Sequence, residues 1–161
     1  MGMHVSVRRM NEMLTEAYRS IIKVEELMLF RLSGGKLTLS EMHVLESIGK
    51  SPAKSLTITE IAQDLDITPP SVTTMIQRLE RKGYIKKDRS SVDARRVHVV
   101  LTEEGRRAEV AHRYIRRRII GQLTEELDMT EKSAILTGLE KMNAFIRRQI
   151  DEYNAGKEES L

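Results

Sequence analysis

Residues 57–85 read TITEIAQDLDITPPSVTTMIQRLERKGYI, which predicts two short helices joined by a tight turn. The first helix begins at a capping box, in which Thr57 is the N-cap and the glutamate three residues later reaches back to it. The second helix begins after Thr68, with Pro69 at the first helical position, where a missing N–H costs nothing. Asp66 occupies the turn, and Asp tolerates left-handed backbone geometry better than most residues. The stretch therefore predicts a helix-turn-helix.

The apolar residues of this stretch fall where two helices joined by a short turn must bury side chains against each other. They are Ile61, Ala62, Leu65, Ile67, Val72 and Met75. A β-hairpin is predicted next, because residues 84–85 open one strand and apolar residues alternate along residues 97–101. A plain helical hairpin is the competing interpretation of the two helices alone. With the β-hairpin directly after them, they predict a winged helix-turn-helix.

A long amphipathic helix is predicted before this motif. Over residues 7–28 apolar positions recur at alternating steps of three and four, a heptad pattern that one helix cannot bury alone. This helix must therefore pack against other long helices. A shorter helix with Ser40 as its N-cap follows it, and residues 51–55 are expected to form a loop.

Two further helices are predicted after the motif. One starts near residue 102, and the last starts near Thr130 and carries an apolar stripe as far as Tyr153. Residues 154–161 are polar and are expected to form a flexible tail. The fold class is thus mainly α with a small β-hairpin wing, as a single domain over residues 1–161.

The charge of the chain is concentrated in one segment. The total is only +3, but residues 78–118 hold 14 basic and 6 acidic residues, between a near-neutral segment 1–77 and an acidic segment 119–161. Such a cationic stretch attracts polyanions, because Lys and Arg displace counterions from phosphates. A solvated helix face is the competing explanation of the charge run.

Several function classes are excluded or disfavoured by composition. The chain has no cysteine, which removes disulfides, thiol catalysis and Cys-ligated metals. Four histidines lack ligand spacing, so we expect no metal and no cofactor. No set of catalytic motifs is present, so we expect no enzyme. No apolar run approaches the roughly 18–20 residues of a membrane span, and no signal peptide is evident, which predicts a cytoplasmic protein.

The second helix of the motif has a polar face opposite its apolar one. Short hydroxyl side chains, a glutamine and arginines suit a helix that lies in the major groove of DNA, since Gln pairs with adenine and Arg with guanine or phosphate. In the competing interpretation these side chains only face solvent. The candidate base- or phosphate-contacting residues are Thr68, Pro70, Ser71, Thr73, Thr74, Gln77, Arg78 and Arg81.

The predicted wing is basic as well. A cationic hairpin can lie along the DNA backbone and insert an arginine into a narrow minor groove. Arg95 is the candidate for that insertion, and Asp93 is expected to orient it. The wing candidates are Lys86, Lys87, Arg89, Asp93, Arg95 and Arg96. Beyond the wing, Arg113, Arg116, Arg117 and Arg118 are expected to face either phosphates or solvent.

The winged helix-turn-helix carries a recognisable set of short motifs. They are Ile61-Ala62 with Leu65, Val72-Thr73, Leu79-Glu-Arg-Lys-Gly83-Tyr-Ile, and Asp93-Ala-Arg95 followed by Val97, Val99, Leu101-Thr102 and Gly105. With these residues the chain resembles the MarR family of bacterial transcriptional regulators. The chain departs from the family pattern at Thr74, where many relatives carry Arg.

The resemblance implies a homodimeric repressor that binds a palindromic double-stranded DNA operator. It assigns DNA binding to residues 37–104 and dimerisation to the helices of residues 4–32 and 105–153. The heptad pattern of the first helix agrees with this assignment. The expected dimer-interface residues are Val7, Met10, Leu14, Ile21, Ile135, Leu139, Met142 and Ile146.

A narrower resemblance concerns the regulated genes. Glu41-Met42-His43, Ile48-Gly49-Lys50 and Val97-His98 are similar to the branch of the family that represses fatty-acid synthesis, which implies long-chain acyl-acyl carrier protein as corepressor. Two alternatives stay open. One is a regulator of efflux or stress genes released by a phenolic or hydrophobic ligand, and the other is a winged-helix module that binds a protein.

Overall fold

The computed structural model describes residues 6–88 and 97–158, with side chains as far as Tyr153. The chain divides into two compact units, Met1–Arg116 and Arg117–Leu161. Within the described residues no helix is long and apolar enough to cross a membrane. The elements are α1 Val7–Ser33, α2 Leu39–Lys50, β1 Ser55–Thr57, α3 Ile58–Leu65, α4 Pro69–Arg81, β2 Ile85–Asp88, β3 His98–Leu101, α5 Glu103–Glu125 and α6 Met129–Glu158. The predicted fold class, mainly α with a small β wing, is confirmed.

The N-cap of helix α2 lies two residues before the residue predicted to cap it. The N-cap is Thr38, whose Oγ1 accepts a hydrogen bond from the Glu41 amide at 3.2 Å, while Glu41 Oε2 accepts one from the Thr38 amide at 2.9 Å. The prediction of Ser40 as N-cap is therefore wrong, since Ser40 lies inside the first turn. The physical reason is that Thr38 has a glutamate three residues later, whereas Ser40 has His43, which cannot complete a capping box.

The sheet has one more strand than the sequence predicts. Strand β1 pairs antiparallel with β3, which also pairs antiparallel with β2, so that the order is β1-β3-β2. Leu56 of β1 and Lys87 of β2 both lie opposite Val99. Residues 51–55 were expected to form a loop, but Ser55 already belongs to β1. A strand of three residues is too short for its alternation of apolar and polar residues to be detected.

The hydrophobic core of the first unit lies beneath α4. It combines side chains of α1, α2, α3, α4 and the sheet that are almost completely removed from water. Burial of each contributes about 1.5–3 kcal/mol. This core holds one face of α4 and leaves the opposite face outside. The most deeply buried apolar side chains are Leu29, Met42, Val44, Leu45, Ile48, Ile61, Val72, Ile76, Leu79 and Val99.

The second unit consists of the end of α5 and helix α6. Asp128 precedes α6, where its Oδ1 accepts a hydrogen bond from the Glu131 amide at 2.8 Å, and Glu131 Oε2 accepts one from the Asp128 amide at 2.9 Å. The predicted start near Thr130 is confirmed to within one residue. Helix α6 extends to Glu158 and so includes residues 154–158 of the segment predicted to be a flexible tail. Ala, Lys and Glu in that segment favour helix, so the helix continues beyond its last apolar residue.

Candidate nucleic-acid interface

Helix α4 separates its side chains into a core face and an outer face. Val72, Ile76 and Leu79 are fully buried, and Met75 packs half-buried against the core. The predicted contact residues of α4 lie outside this core and are exposed, except for Thr73, which is half-buried. The outer face comprises Pro70, Ser71, Thr73, Thr74, Gln77, Arg78 and Arg81, with Thr68 at the N-cap.

The turn before α4 has the geometry that the sequence predicts. Asp66 adopts the left-handed conformation, with φ 53° and ψ 46°. The Ile67 amide donates to the carbonyl of Ala62 at 3.0 Å, and the Asp66 amide donates to that of Gln63 at 3.4 Å, the pattern of a Schellman motif. The capping box at the start of α3 is also confirmed, with the Thr57 amide 2.7 Å from a carboxylate oxygen of Glu60.

The hydroxyl groups at the start of α4 all have partners within the protein. Thr68 Oγ1 lies 2.9 Å from Ser71 Oγ, so Thr68 holds the N-cap position without a side-chain cap bond. Thr73 Oγ1 donates to the carbonyl of Pro69 at 2.9 Å. Thr74 Oγ1 donates to the carbonyl of Pro70, four residues earlier, at 3.1 Å.

A partly buried ion pair holds the C-terminal end of α4. Lys82, the C-cap residue, places Nζ 2.7 Å from both carboxylate oxygens of Glu41. Burial of Glu41 opposes its ionisation, but hydrogen bonds from Lys82 and from the Thr38 amide outweigh it and lower the pKa of the carboxyl group. The same glutamate thus caps α2 and holds α4. The sequence showed no link between these residues because they are 41 positions apart.

The start of α5 packs closely on the turn that follows α4. Gly83 has φ 78°, and its carbonyl accepts a hydrogen bond from Thr102 Oγ1 at 2.7 Å. A Cβ atom at Gly105 would lie only 2.0 Å from the carbonyl oxygen of Tyr84. Gly105 therefore lets the two backbones meet, which gives a structural role to the Leu-Thr-x-x-Gly motif.

The described part of the wing is joined to α4. Lys87 Nζ lies 2.7 Å from a carboxylate oxygen of Glu80, so strand β2 and α4 are linked by an ion pair. Lys86, on the alternate side of β2, is exposed. The other predicted wing residues lie outside the described residues, so their roles stay predictions. They are Arg89, Asp93, Arg95 and Arg96.

A buried polar network joins α1, α2 and α5. Arg116 lies 2.9 Å from Glu25 and 3.2 Å from Glu46, and His112 Nδ1 lies 3.0 Å from Glu46 Oε1. Burial opposes ionisation of Glu46, but the hydrogen bond from His112 and the charge of Arg116 lower the pKa of this carboxyl group. Burial also lowers the pKa of the neighbouring His43 imidazole.

Two arginines that were expected to face phosphate or solvent instead contact protein carboxylates. Arg116 belongs to the buried network, and Arg113 Nη1 lies 2.8 Å from Glu109 Oε1. The prediction is therefore wrong for Arg116, because two acidic residues distant in sequence surround it. Among the described residues no group of His, Asp and Glu could hold a metal ion.

Known proteins are similar to this chain in sequence and in fold. The HTH-type transcriptional regulator YwhA of Bacillus subtilis is 32% identical over 88 residues, 55% of this chain and 63% of that protein. The repressor MdtR of the same organism is 34% identical over 83 residues, 52% of each chain. The chain thus spans between half and two thirds of these curated relatives. They are transcriptional regulators and not enzymes.

Solved structures match over more of the chain. Streptococcus pneumoniae FabT in complex with DNA superimposes with a TM-score of 0.84 and 30% identity, covering 89% of this chain and 99% of that one. The Staphylococcus aureus MepR–DNA complex gives a TM-score of 0.67 at 25% identity, covering 83% and 97%. The family model described as MarR matches residues 37–97. The winged helix-turn-helix, the similarity to FabT over nearly all of both chains and the family model agree: this chain belongs to the MarR family.

Proposed function

We propose that this protein is a homodimeric transcriptional repressor that binds a palindromic site in double-stranded DNA through α4 and the wing. The observation that carries the proposal is the outer face of α4. Apart from Pro70, its residues have polar or basic side chains, and all of them except the half-buried Thr73 are exposed. The core, the Schellman turn and the Glu41–Lys82 pair hold the helix in place. A preorganised helix of this kind suits the major groove.

Different parts of the outer face suit different DNA groups. Gln77 is exposed in the middle of α4, where its amide can pair with the hydrogen-bonding edge of adenine. Arg78 and Arg81 lie in the last turn and suit guanine or phosphate. Lys86 and the arginines of the wing would add phosphate or minor-groove contacts. The 30% identity with FabT, which was solved bound to DNA, supports this assignment.

Dimerisation is supported by apolar side chains that the single chain leaves exposed. On α1, Val7 is 88% exposed and Ile21 53% exposed, and on α6 Leu139 is 47% exposed. Apolar stripes of this length are usually covered by a partner. A second copy would cover them and would supply a second α4 for the other half of a palindrome. The remaining proposed interface residues are Met10, Leu14, Ile135, Met142 and Ile146.

The regulated genes are proposed to be those of fatty-acid synthesis, with long-chain acyl-acyl carrier protein as corepressor. The proposal rests on the resemblance of Glu41-Met42-His43 and Ile48-Gly49-Lys50 to that branch of the family. It is consistent with the similarity to FabT over nearly all of both chains. Efflux or stress genes are the alternative outcome of the test below.

Selection of genomic fragments by the purified protein, followed by sequencing, tests this function. We expect a palindrome whose half-sites lie about one helical turn apart. The selection is run with and without acyl-acyl carrier protein, and stronger enrichment with it, beside fatty-acid synthesis genes, would support the corepressor. Enrichment beside unrelated genes and insensitive to the carrier would remove that part of the proposal.

Two controls separate DNA recognition from other kinds of binding. Gln77→Ala should broaden the selected sequence, whereas Gln122→Ala, an exposed glutamine of α5, should leave it unchanged. Affinity should fall steeply between about 50 and 200 mM salt if several phosphates are contacted. No enrichment under any of these conditions would contradict the proposal and favour a protein-binding module.

A further inference from the structure

The two threonines in the N-terminal half of α4 both direct their hydroxyl groups back towards the helix backbone. Thr73 Oγ1 lies 2.9 Å from the carbonyl oxygen of Pro69, and Thr74 Oγ1 lies 3.1 Å from that of Pro70. Threonine side chains inside helices either face solvent or form such hydrogen bonds to the carbonyl four residues earlier. Each hydroxyl is therefore already engaged in the protein without DNA.

These bonds change the chemistry that the helix presents. Cβ of threonine carries one hydroxyl and one methyl group, so a hydroxyl turned towards the backbone leaves the methyl as the outward group. The remaining two hydroxyls at the start of α4, those of Thr68 and Ser71, share one hydrogen bond at 2.9 Å. Pro70 adds an apolar ring to the same exposed face. At Pro70, Thr73 and Thr74 the outer face thus presents apolar groups.

We propose that Thr73 and Thr74 recognise the C5-methyl groups of thymine through their own methyl groups, rather than hydrogen-bonding to base edges. This inference rests on the proposed DNA-binding function. It replaces the expectation that short hydroxyls donate hydrogen bonds to the bases, because each hydroxyl already donates its single hydrogen to a backbone carbonyl. The thymine methyl lies in the major groove, and a threonine methyl is one of its recognised apolar partners.

The neighbouring glutamine makes the inference more specific. Gln77 follows Thr73 by one helical turn on the exposed side of α4, and its amide suits adenine. A half-site read by two methyl groups and then by Gln77 should be rich in A·T pairs with thymine on defined strands. Arg78 and Arg81, in the last turn, would read or hold the DNA beyond this A·T segment.

Replacement of thymine by uracil tests the inference directly, because uracil differs only by the missing methyl group. Random double-stranded libraries containing either dT or dU are selected in parallel with the full-length protein. The best dT sequence is then synthesised with single dT-to-dU replacements. At the positions facing α4, each replacement should lower affinity about fourfold, the change that burial of one methyl group at about 0.8 kcal/mol gives.

Matched variants assign the effect to the threonines. Thr73→Val and Thr74→Val keep a methyl group and remove the hydroxyl, so they should bind the dT site well and still discriminate against dU. Thr73→Ser and Thr74→Ser keep the hydroxyl and remove the methyl, so they should lose that discrimination. All four changes are small, and circular dichroism with thermal unfolding verifies that each variant folds.

The outcomes separate this inference from the function on which it rests. Selection of a palindrome with equal affinity for its dT and dU forms would overturn the inference and leave the function intact. Loss of discrimination in the Val variants but not in the Ser variants would also overturn it, because the hydroxyl would then be the reading group. Failure to select any DNA would overturn both.

Discussion

Asp66 carries the chain between α3 and α4 in a left-handed conformation, at φ 53° and ψ 46°. A Cβ atom in this region costs roughly 1–2 kcal/mol, of which the short polar side chain of Asp recovers part. We expect Asp66→Ala to lower the free energy of unfolding by about 1 kcal/mol. Asp66→Gly should leave it unchanged within about 0.5 kcal/mol or raise it, since glycine adopts this conformation without strain.

Urea unfolding, with the midpoint compared at constant slope, measures both changes. Asp64→Ala, at an exposed position of α3, controls for the loss of a carboxylate near the end of the helix. If the Ala and Gly variants at position 66 proved equally unstable, the side chain rather than the backbone conformation would be the cause.

Gly105 illustrates a different residue-scale constraint, a contact between two backbones. Because an added Cβ would lie 2.0 Å from the Tyr84 carbonyl oxygen, Gly105→Ala forces α5 away from the turn after α4. We expect a loss of about 2–3 kcal/mol in the free energy of unfolding. Gly121→Ala is the matched control, because its added Cβ would meet no described atom within 4 Å apart from its chain neighbours and its own helix backbone. That control should be neutral or stabilise the helix by up to about 1 kcal/mol.

Residues whose role depends on near neighbours in sequence were the predictable ones. Thr57 has its partner three residues later, and Asp66 stands between two amphipathic segments, so both follow from local patterns. Ser40 was wrongly chosen as N-cap although Thr38 satisfied the same rule more completely. Gly105 belonged to a recognised motif. Why a glycine is needed there, the close approach of the Tyr84 carbonyl oxygen, was visible only in the three-dimensional structure.

At the scale of elements, the position of α4 depends on the ion pair between Lys82 and Glu41. Glu41 is almost fully buried, and Lys82 is its only cationic partner among the described ion pairs. Lys82→Met removes the ammonium group and leaves a buried carboxylate without its charge partner. We expect the free energy of unfolding at pH 7 to fall by about 2–4 kcal/mol, as measured by urea unfolding. Lys36→Met, at an exposed position outside any ion pair that the described residues show, controls for loss of a lysine.

The same pair predicts how stability depends on pH. The pKa of Glu41 is lowered in the folded protein from 4.5, so its contribution is fully present above that value and is lost as the pH falls through the folded pKa. Glu46 acts in the same direction. We expect the wild type to lose stability below about pH 4.5, and Lys82→Met to lose less over the same interval. An unchanged pH profile in the variant would show that Glu41 is not stabilised by Lys82.

The helices and the hairpin were predictable, whereas the contacts between elements were not. Periodicity of apolar residues extends over many positions in α1, α4 and α6, so each helix leaves a clear pattern. Strand β1 has only three residues, and its partner β3 lies more than 40 positions away. The Glu46–His112 contact spans 66 positions. Such contacts require knowledge of the packing, which a single sequence does not contain.

At the scale of the whole molecule, the apolar side chains that α1 and α6 leave exposed bear on how copies of the chain assemble. The seam predicted along α1 is present but remains exposed, and α6 exposes a stripe of its own. Neither stripe belongs to the buried core cluster. Because burial of apolar area stabilises association, both stripes predict that two copies combine.

Substitution of Ile21 by glutamate tests this assembly. Ile21 lies in the middle of the α1 seam and is 53% exposed, so in a monomer the change should scarcely affect folding. In a dimer it would bury an unpaired carboxylate, at a cost of several kcal/mol for each copy. We expect sedimentation analysis to show a dimer for the wild type and a shift towards monomer for Ile21→Glu. Thr15→Glu adds the same charge to an exposed position away from the seam and should leave the dimer intact.

The same variant links assembly to DNA recognition. A monomer has a single α4 and can contact one half-site at a time, whereas a dimer binds the second half-site as an intramolecular event with a high effective concentration. Ile21→Glu should therefore lower affinity for a full palindrome by about 100-fold or more, but should scarcely change affinity for an isolated half-site. Equal affinity of Ile21→Glu and Thr15→Glu for the palindrome would show that α1 does not hold the two reading helices together.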